Sequence, residues 1–244
     1  MALKNKTTEN KPKRTPFAVV ESYNTIRTNI LFSLSQNNGK VFAISSANES
    51  EGKSTTAVNT AIAFSQLGSK TLLIDADMRK PSIHKKIHIA NTKGLSNVLV
   101  GFCSFDEAVN EINPNLDVLT AGPTPPNPSE MLAGQNIETL LETLKEKYDY
   151  IIFDTPPINI VSDAVVIAPK TDGLVIVIKD SYTYHEEFKS CLSSVEFANA
   201  RLLGVVLNAV NPKNSTKYKY KYRYRYKYRY MSYKGYRDSQ YVRK

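Results

Sequence analysis

Cysteine and long apolar stretches are both scarce in this 244-residue chain. Its two cysteines, Cys103 and Cys191, lie far apart and form neither a C-x-x-C pair nor a metal-binding spacing. This favours a reduced, cytoplasmic compartment. No apolar stretch approaches the roughly 18 residues that a membrane-crossing helix needs, and the N-terminus lacks the apolar segment of a signal peptide. We therefore expect any membrane association to depend on a partner or on basic segments.

Acidic residues are scarce at both ends of the chain. Residues 1–16 contain five lysines and arginines against one acid, and residues 213–244 contain twelve against one. Residues 17–212 contain 15 lysines and arginines against 21 acids, which gives a net charge of −6. This division predicts a flexible basic N-terminus, one acidic domain that is long enough to bury a core, and a basic tail.

Within residues 17–212, short apolar segments alternate with segments of helical periodicity. The predicted strands cover residues 40–46, 70–75, 116–120, 148–154, 173–178 and 202–208. The predicted helices cover residues 17–34, 56–67, 137–147 and 184–198. Apolar strands that alternate with helices are typical of a mostly parallel sheet with helices on both faces. The predicted fold class is therefore α/β.

The segment A-N-E-S-E-G-K-S follows the first predicted strand and fits the P-loop pattern, except that Ala47 occupies the first glycine position. In such a loop, backbone N–H groups point at nucleotide phosphates, Lys53 would neutralise their charge and Ser54 would hold Mg²⁺. An ordinary strand–helix turn is the alternative, but the carboxyl end of a parallel strand favours nucleotide binding. The predicted nucleotide-binding residues here are Ala47, Asn48, Glu49, Ser50, Glu51, Gly52, Lys53, Ser54 and Thr55.

Acidic side chains end two further predicted strands. Asp75 and Asp77 follow the apolar segment T-L-L-I, and Asp154 follows I-I-F. Side chains two residues apart share one face of a strand, so both acids of the first pair are expected near the phosphates. Asp154 matches the Walker B carboxylate that binds Mg²⁺ directly or through water. Taken alone, each of these acidic motifs could also be a solvated strand end. Beside a P-loop, the three acids together indicate a magnesium–nucleotide site.

The tail alternates a basic residue with tyrosine from Lys217 to Tyr230, and three more tyrosines follow. Ten of the fifteen tyrosines in the chain therefore lie in its last 27 residues. With almost no aliphatic residues such a segment cannot form a core, so we expect it to be disordered and presented to another site. The candidate phosphoacceptors are Tyr218, Tyr220, Tyr222, Tyr224, Tyr226, Tyr228, Tyr230, Tyr233, Tyr236 and Tyr241.

Three segments resemble, in order, the Walker A, A′ and B motifs of the bacterial tyrosine kinases of the CapB/CpsD type: the P-loop, D-A-D-M-R-K-P and D-T-P-P-I. The segment A-G-P-T-P-P-N-P-S-E-M-L and the tyrosine-rich tail are also similar to that family. The resemblance covers residues 17–210 and the tail. It implies a P-loop NTPase-like fold and a kinase that uses ATP and Mg²⁺. Such a kinase phosphorylates its own tyrosine cluster in trans and regulates capsule or exopolysaccharide production.

The same resemblance assigns individual roles. Lys53 and Ser54 would bind phosphate and Mg²⁺, and Asp77 and Asp154 would organise the metal. Asp75 is similar to the acid proposed to accept the tyrosine proton. Because a phenol has a pKa near 10, a carboxylate can orient it and accept the proton only in part. Asn208 resembles a position that contacts adenine.

The resemblance also implies partners. It suggests a transmembrane adaptor of the polysaccharide co-polymerase type, a homo-oligomer that can form a ring, a cognate tyrosine phosphatase and recruitment to the inner face of the membrane. Ring contacts in the family use E-x-x-R-x-x-R, where this chain has Glu21, Asn24 and Arg27. One arginine is therefore replaced, which weakens the prediction of a ring.

Two other classes of function remain open. One is a partitioning-type P-loop ATPase switch, but those proteins carry an extra lysine where this chain has Asn48. The other is a binding protein whose basic, aromatic tail holds single-stranded nucleic acid or anionic lipid. A tail that only solubilises the protein, or that pairs as an edge strand, is a further possibility. The ATP site on the same chain favours the phosphoacceptor interpretation over nucleic-acid binding.

Overall fold

Seven strands form one sheet in this computed structural model, which describes residues 17–35 and 38–210. Their order across the sheet is β3-β4-β2-β5-β1-β6-β7, and only β3 runs antiparallel to its neighbour. The strands are β1 (Val41–Ser46), β2 (Thr71–Asp75), β3 (Val109–Asn113), β4 (Leu116–Leu119), β5 (Tyr150–Asp154), β6 (Leu174–Lys179) and β7 (Leu202–Asn208). The predicted N-terminal arm and tyrosine tail lie outside the described residues.

Helices cover both faces of the sheet, as predicted. The α-helices are α1 (Phe17–Ser35), α2 (Lys53–Ser65), α3 (Ile83–Ile87), α4 (Leu95–Leu99), α5 (Phe105–Ala108), α6 (Pro128–Ala133), α7 (Gln135–Lys147), α8 (Asp163–Ile167) and α9 (His185–Phe197). A short 3₁₀ turn spans Ala168–Lys170. Among the described residues, no helix is both long and apolar enough to span a membrane.

The core has two layers because side chains alternate between the faces of each strand. Phe42 and Ile44 of β1 pack with α1 and α2, whereas Val41 and Ala43 pack with α7, α8 and α9. All residues of β1 and β2 are buried. Burial on both faces explains why β1 and β2 are continuous apolar runs rather than alternating patterns.

The structure also differs from the sequence prediction: the five short helices α3, α4, α5, α6 and α8 were not predicted. Helix α2 begins at Lys53, three residues before the predicted start, because Gly52 adopts a left-handed conformation (φ 97°) and directly precedes the helix. Strand β3 was not predicted. Its sequence V-N-E-I-N is half-buried or exposed and contains a register shift opposite β4, so it lacks the apolar run of a central parallel strand.

The topology brings the predicted motifs to one edge of the sheet. Strand β1, which leads into the P-loop, lies between β5 and β6, and β2 lies on the other side of β5. Asp75 and Asp154 stand opposite each other in register at the carboxyl ends of β2 and β5. Carboxyl ends of neighbouring parallel strands are the usual ligand site of an open α/β sheet.

Candidate active site

The P-loop has the backbone conformation of a phosphate cradle. Ser50 (φ 61°) and Gly52 (φ 97°) both adopt left-handed conformations, a geometry that turns successive N–H groups toward one point. A Cβ atom built on Gly52 would lie 2.1 Å from Nδ2 of Asn208. Glycine is therefore required there by both backbone conformation and space.

Lys53 points into the space where the motifs meet. Its Nζ lies 2.8 Å from Oδ2 of Asp77, 3.5 Å from Oδ1 of Asp154 and 3.2 Å from Oγ of Ser54. Burial lowers the pKa of Lys53, but the charges of Asp154 and Asp77 outweigh burial and raise the pKa above its usual value. The lysine is thus a fixed positive charge at the phosphate side of the site.

Asp154 carries unused hydrogen-bonding capacity. The residue is fully buried, and within the described part of the chain neither carboxylate oxygen accepts a hydrogen bond. Burial raises its pKa, and the nearby Lys53 charge opposes that shift. Such orphaned oxygens beside the Ser54 hydroxyl fit a hard divalent cation.

A cation here would need ligands from outside the protein. No cluster of three His, Cys, Asp or Glu side chains that could hold a metal exists in residues 17–35 and 38–210. Mg²⁺ usually keeps several waters and is bound by one or two protein ligands together with substrate phosphates. Ser54, Asp77 and Asp154, the predicted metal residues, fit that arrangement.

Asp75 organises the loop that follows β2. It is fully buried, its Oδ1 accepts the Asp77 N–H (3.2 Å) and its Oδ2 accepts the N–H groups of Ser82 and Ile83 (both 3.1 Å). Burial and the neighbouring Asp154 charge raise the pKa of Asp75 to about 8, while the Ile83 N–H bond opposes the shift. Its role as an acceptor of the tyrosine proton stays a prediction, and the carboxylate is enclosed in this conformation.

A buried ion pair joins the Walker A′ loop to two other segments. Nε and Nη2 of Arg79 donate to the two carboxylate oxygens of Asp163 at 2.9 and 3.1 Å. Ser129 accepts a hydrogen bond from Nη2 of Arg79 (3.0 Å) and donates a short one to Asp163. The segment A-G-P-T-P-P-N-P-S-E-M-L, which sequence reasoning could not explain, thus supplies Ser129 to this cluster.

The remaining predicted nucleotide residues surround the loop. Ala47 is fully buried, and the exposed Glu49 forms an ion pair with Lys80 (2.6 Å). Oγ1 of Thr55 accepts a hydrogen bond from Nζ of Lys86 (3.0 Å). The Asn208 amide donates to the P-loop carbonyl of Glu51 (2.8 Å). Asn208 therefore lies at the nucleotide site, and its contact with adenine stays a prediction.

The predicted subunit-contact residues are engaged within the chain. Nη1 of Arg27 donates to the carbonyl oxygen of Ala63 in α2 (2.8 Å) and to Oδ1 of Asn24 (3.3 Å). Glu21 accepts a hydrogen bond from the Asn24 amide (3.0 Å). Their role in an oligomer stays a prediction, as does the role of the tail tyrosines, which lie outside the described residues.

Comparisons with known proteins agree with this geometry. The AAA domain family matches residues 39–202. The chain is 42% identical to the tyrosine-protein kinase YwqD of Bacillus subtilis over 81% of this chain and 84% of that protein. It is 41% identical to the putative tyrosine-protein kinase CapB of Staphylococcus aureus over 85% and 91% of the two chains.

A solved structure supports the same assignment. The kinase domain of the Escherichia coli tyrosine kinase ETK superposes with a TM-score of 0.78 at 30% identity, over 86% of this chain and 88% of that one. These relatives are named tyrosine kinases, and this chain has Asn48 where partitioning-type ATPases carry an extra lysine. The partitioning-type ATPase is therefore not favoured. The chain therefore belongs to the AAA domain family and, within it, to the bacterial tyrosine-protein kinases of the CapB/CpsD type.

Proposed function

We propose that this chain transfers the γ-phosphoryl group of ATP to tyrosines of its own C-terminal tail, acting on the tail of a neighbouring copy. The observation that supports this most directly is the convergence of Lys53, Asp77 and Asp154 beside the P-loop. A tail with ten tyrosines on the same chain supplies the acceptor. By its family, the chain would thereby regulate the synthesis and export of capsular or extracellular polysaccharide.

Electrostatic stabilisation would supply most of the catalysis. Backbone N–H groups of the P-loop and the Lys53 ammonium face the position of the β- and γ-phosphates, where negative charge is redistributed during transfer. Ser54, Asp77 and Asp154 would hold Mg²⁺, which adds positive charge and orients the phosphate oxygens. Lys53 must then exchange part of its contact with the two carboxylates for the phosphates.

The chemical step replaces one oxygen on phosphorus by another. The phenol oxygen of the tail forms a bond to the γ-phosphorus, the bond from that phosphorus to the β–γ bridging oxygen breaks, and ADP leaves. The phenol proton passes to a carboxylate, for which Asp75 is the predicted acceptor. Because Asp75 is bound by three N–H groups, this role requires the loop after β2 to open.

Partners follow from the family and are proposed with the function. A transmembrane adaptor would recruit and activate the kinase at the inner face of the membrane, and a tyrosine phosphatase would reverse the modification. A homo-oligomer, in which Glu21 and Arg27 take part, would bring one tail to the next active site. Arg27 would then have to serve both the α2 carbonyl and a neighbouring subunit.

An in vitro kinase assay tests the proposal. The full chain is incubated with ATP and Mg²⁺, with and without the cytoplasmic segment of the adaptor, and phosphotyrosine is mapped by mass spectrometry. We expect phosphate on the tail, loss of signal in Lys53→Met, and no loss in the matched surface variant Lys145→Met. ATP hydrolysis without phosphotyrosine in all samples would instead support a nucleotide switch, and tight RNA binding without either activity would support a binding protein.

A further inference from the structure

We infer that Glu51 is a positioning residue that holds the P-loop in its phosphate-binding conformation through a buried hydrogen bond to Thr183. This inference rests on the proposed nucleotide-dependent function, but it concerns how the loop is preorganised. Through the same link, nucleotide binding would stiffen the loop between β6 and α9. No direct contact between Glu51 and the phosphates is required.

The carboxylate of Glu51 is buried in a loop whose neighbouring residues Glu49 and Ser50 are exposed. Its Oε2 accepts the N–H of Asn48 (2.9 Å), and its Oε1 accepts a short hydrogen bond from the hydroxyl of Thr183. None of the ion pairs formed among the described residues includes Glu51. The Asn48 and Thr183 bonds are therefore what compensates its burial.

Thr183 is itself held rigidly. It follows β6, and its Oγ1 accepts the N–H of Lys179, the last residue of that strand, at 2.9 Å. Its hydroxyl proton has two possible acceptors, Oε1 of Glu51 and, at 3.3 Å, the carbonyl oxygen of Lys179, and the bond to Glu51 is the shorter. On the other side, the Asn208 amide at the end of β7 donates to the carbonyl oxygen of Glu51 (2.8 Å). The ends of β6 and β7 thus hold one residue of the P-loop, β6 through Thr183, which follows it, and β7 through Asn208.

The P-loop needs such support because its backbone is strained. Ser50 adopts φ 61° although it is not glycine, a conformation that L-residues with a side chain disfavour. The bond from the Asn48 N–H to Glu51 closes the loop on its outer side. If the link to Thr183 is removed, the loop must be ordered at each binding event, and nucleotide affinity falls.

The hydrogen bond between Glu51 and Thr183 ends at an exposed surface beside the active site. Tyr182 and Tyr184 flank Thr183 and are 45% and 72% exposed. With Asn48 of the P-loop, both line a cavity of about 300 Å³. Nucleotide binding should therefore reduce hydrogen exchange over residues 180–184.

A double-mutant cycle on the full-length protein tests the inference. ADP affinity is measured with a fluorescent ADP analogue for wild type, Glu51→Ala, Thr183→Val and the double variant. We expect the Kd to rise about tenfold in Thr183→Val and at least as much in Glu51→Ala, which also loses the Asn48 bond. The double variant should bind no more weakly than Glu51→Ala, because the link to Thr183 is already absent there. Thr183→Ser keeps the hydroxyl and should bind like wild type, as should the matched control Thr139→Val on the exposed face of α7.

Hydrogen exchange provides the second readout. Nucleotide-dependent protection over residues 180–184 should be present in wild type and Thr183→Ser, and absent in Thr183→Val. Wild-type affinity in Thr183→Val, or fully additive losses in the double variant, would overturn the inference. If Glu51→Ala does not fold, comparison of Thr183→Val with Thr183→Ser tests the inference. Absence of phosphotyrosine in wild type would refute the proposed kinase activity without affecting these binding results.

Discussion

At the scale of single residues, the site concentrates buried carboxylates around one lysine. Asp75 and Asp154 are fully buried, and Asp77 is nearly so. Burial raises the pKa of both Asp75 and Asp154, and the Lys53 charge opposes the shift at Asp154. With a pKa of about 8, Asp75 retains at neutral pH a proton that an exposed carboxyl group would release. Binding of Mg²⁺ would favour the ionised forms, and nucleotide loading should therefore be coupled to proton release.

The raised pKa values predict how stability depends on pH. A carboxyl group whose pKa is higher in the folded than in the unfolded chain stabilises the fold below its unfolded value near 4, and this contribution is lost as the pH rises through the folded value. With the pKa of Asp75 at about 8, the free energy of unfolding of the nucleotide-free protein should fall between about pH 5 and pH 8. The slope should be on the order of 1 kcal/mol per pH unit.

Urea unfolding at several pH values measures this slope. Asp75→Asn cannot titrate and should flatten the dependence, whereas the matched exposed variant Asp106→Asn should leave it unchanged. A free energy of unfolding that is constant or increases over this range would contradict the raised pKa values. Addition of Mg-ADP should also reduce the slope in wild type, since the carboxylates are then held ionised.

At the scale of elements, the Arg79–Asp163 pair connects the loop after β2 with α6 and α8. Asp163 is fully buried while 39% of the Arg79 side chain is exposed, so the two partners are not equivalent. Among the residues that the structure describes, loss of the arginine leaves the buried carboxylate with only the Ser129 hydroxyl as a side-chain donor. Loss of the carboxylate leaves an arginine that water can reach.

We predict that Arg79→Ala destabilises the protein by about 1 to 3 kcal/mol, because the buried Asp163 loses its charged partner while solvent already screens the exposed side of the pair. Arg79→Lys keeps the charge but cannot donate to both carboxylate oxygens, so it should cost less. Chemical denaturation measures the change in the free energy of unfolding for both variants. The double variant Arg79→Ala/Asp163→Asn should recover part of the loss, and an additive loss would show that the two residues do not interact.

The elements also show what sequence reasoning can predict. Strands β1, β2 and β5 were predictable because each is a continuous apolar run that ends in a chemically distinctive residue or loop. Strand β3 was not, since V-N-E-I-N contains no apolar run, whereas the other edge strand, β7, was predicted from L-L-G-V-V-L-N. The Glu51–Thr183 and Arg79–Asp163 contacts join residues that are 132 and 84 positions apart. Local patterns carry no information about these pairs, because only the folded sheet brings them together.

At the scale of the whole molecule, charge divides the chain into an acidic domain and a basic tail. Residues 213–244 contain twelve basic residues and one acid, whereas residues 17–212 carry a net charge of −6. Each phosphate adds roughly −1.5 to −2. About six phosphates would therefore neutralise the tail, and further ones would make it repel the domain.

We predict that autophosphorylation weakens self-association. Native mass spectrometry before and after incubation with Mg-ATP should show a shift toward smaller species. Lys53→Met, treated in the same way, should show no shift because it cannot modify the tail. A larger assembly in the phosphorylated wild-type sample would contradict this prediction, and elevated salt should reduce the difference, since it screens exposed charges.

The last strand has a consequence for how the acceptor is delivered. β7 ends at Asn208, whose amide already touches the P-loop, so the polypeptide leaves the sheet at the catalytic edge. Tyr218 is ten positions further along, a contour of at most about 35 Å. Within the proposed oligomer, a tether of this length would give the phenols an effective concentration in the millimolar range at a neighbouring active site that it can reach. Weakly bound phenols would then suffice, so the tail would need no defined recognition motif.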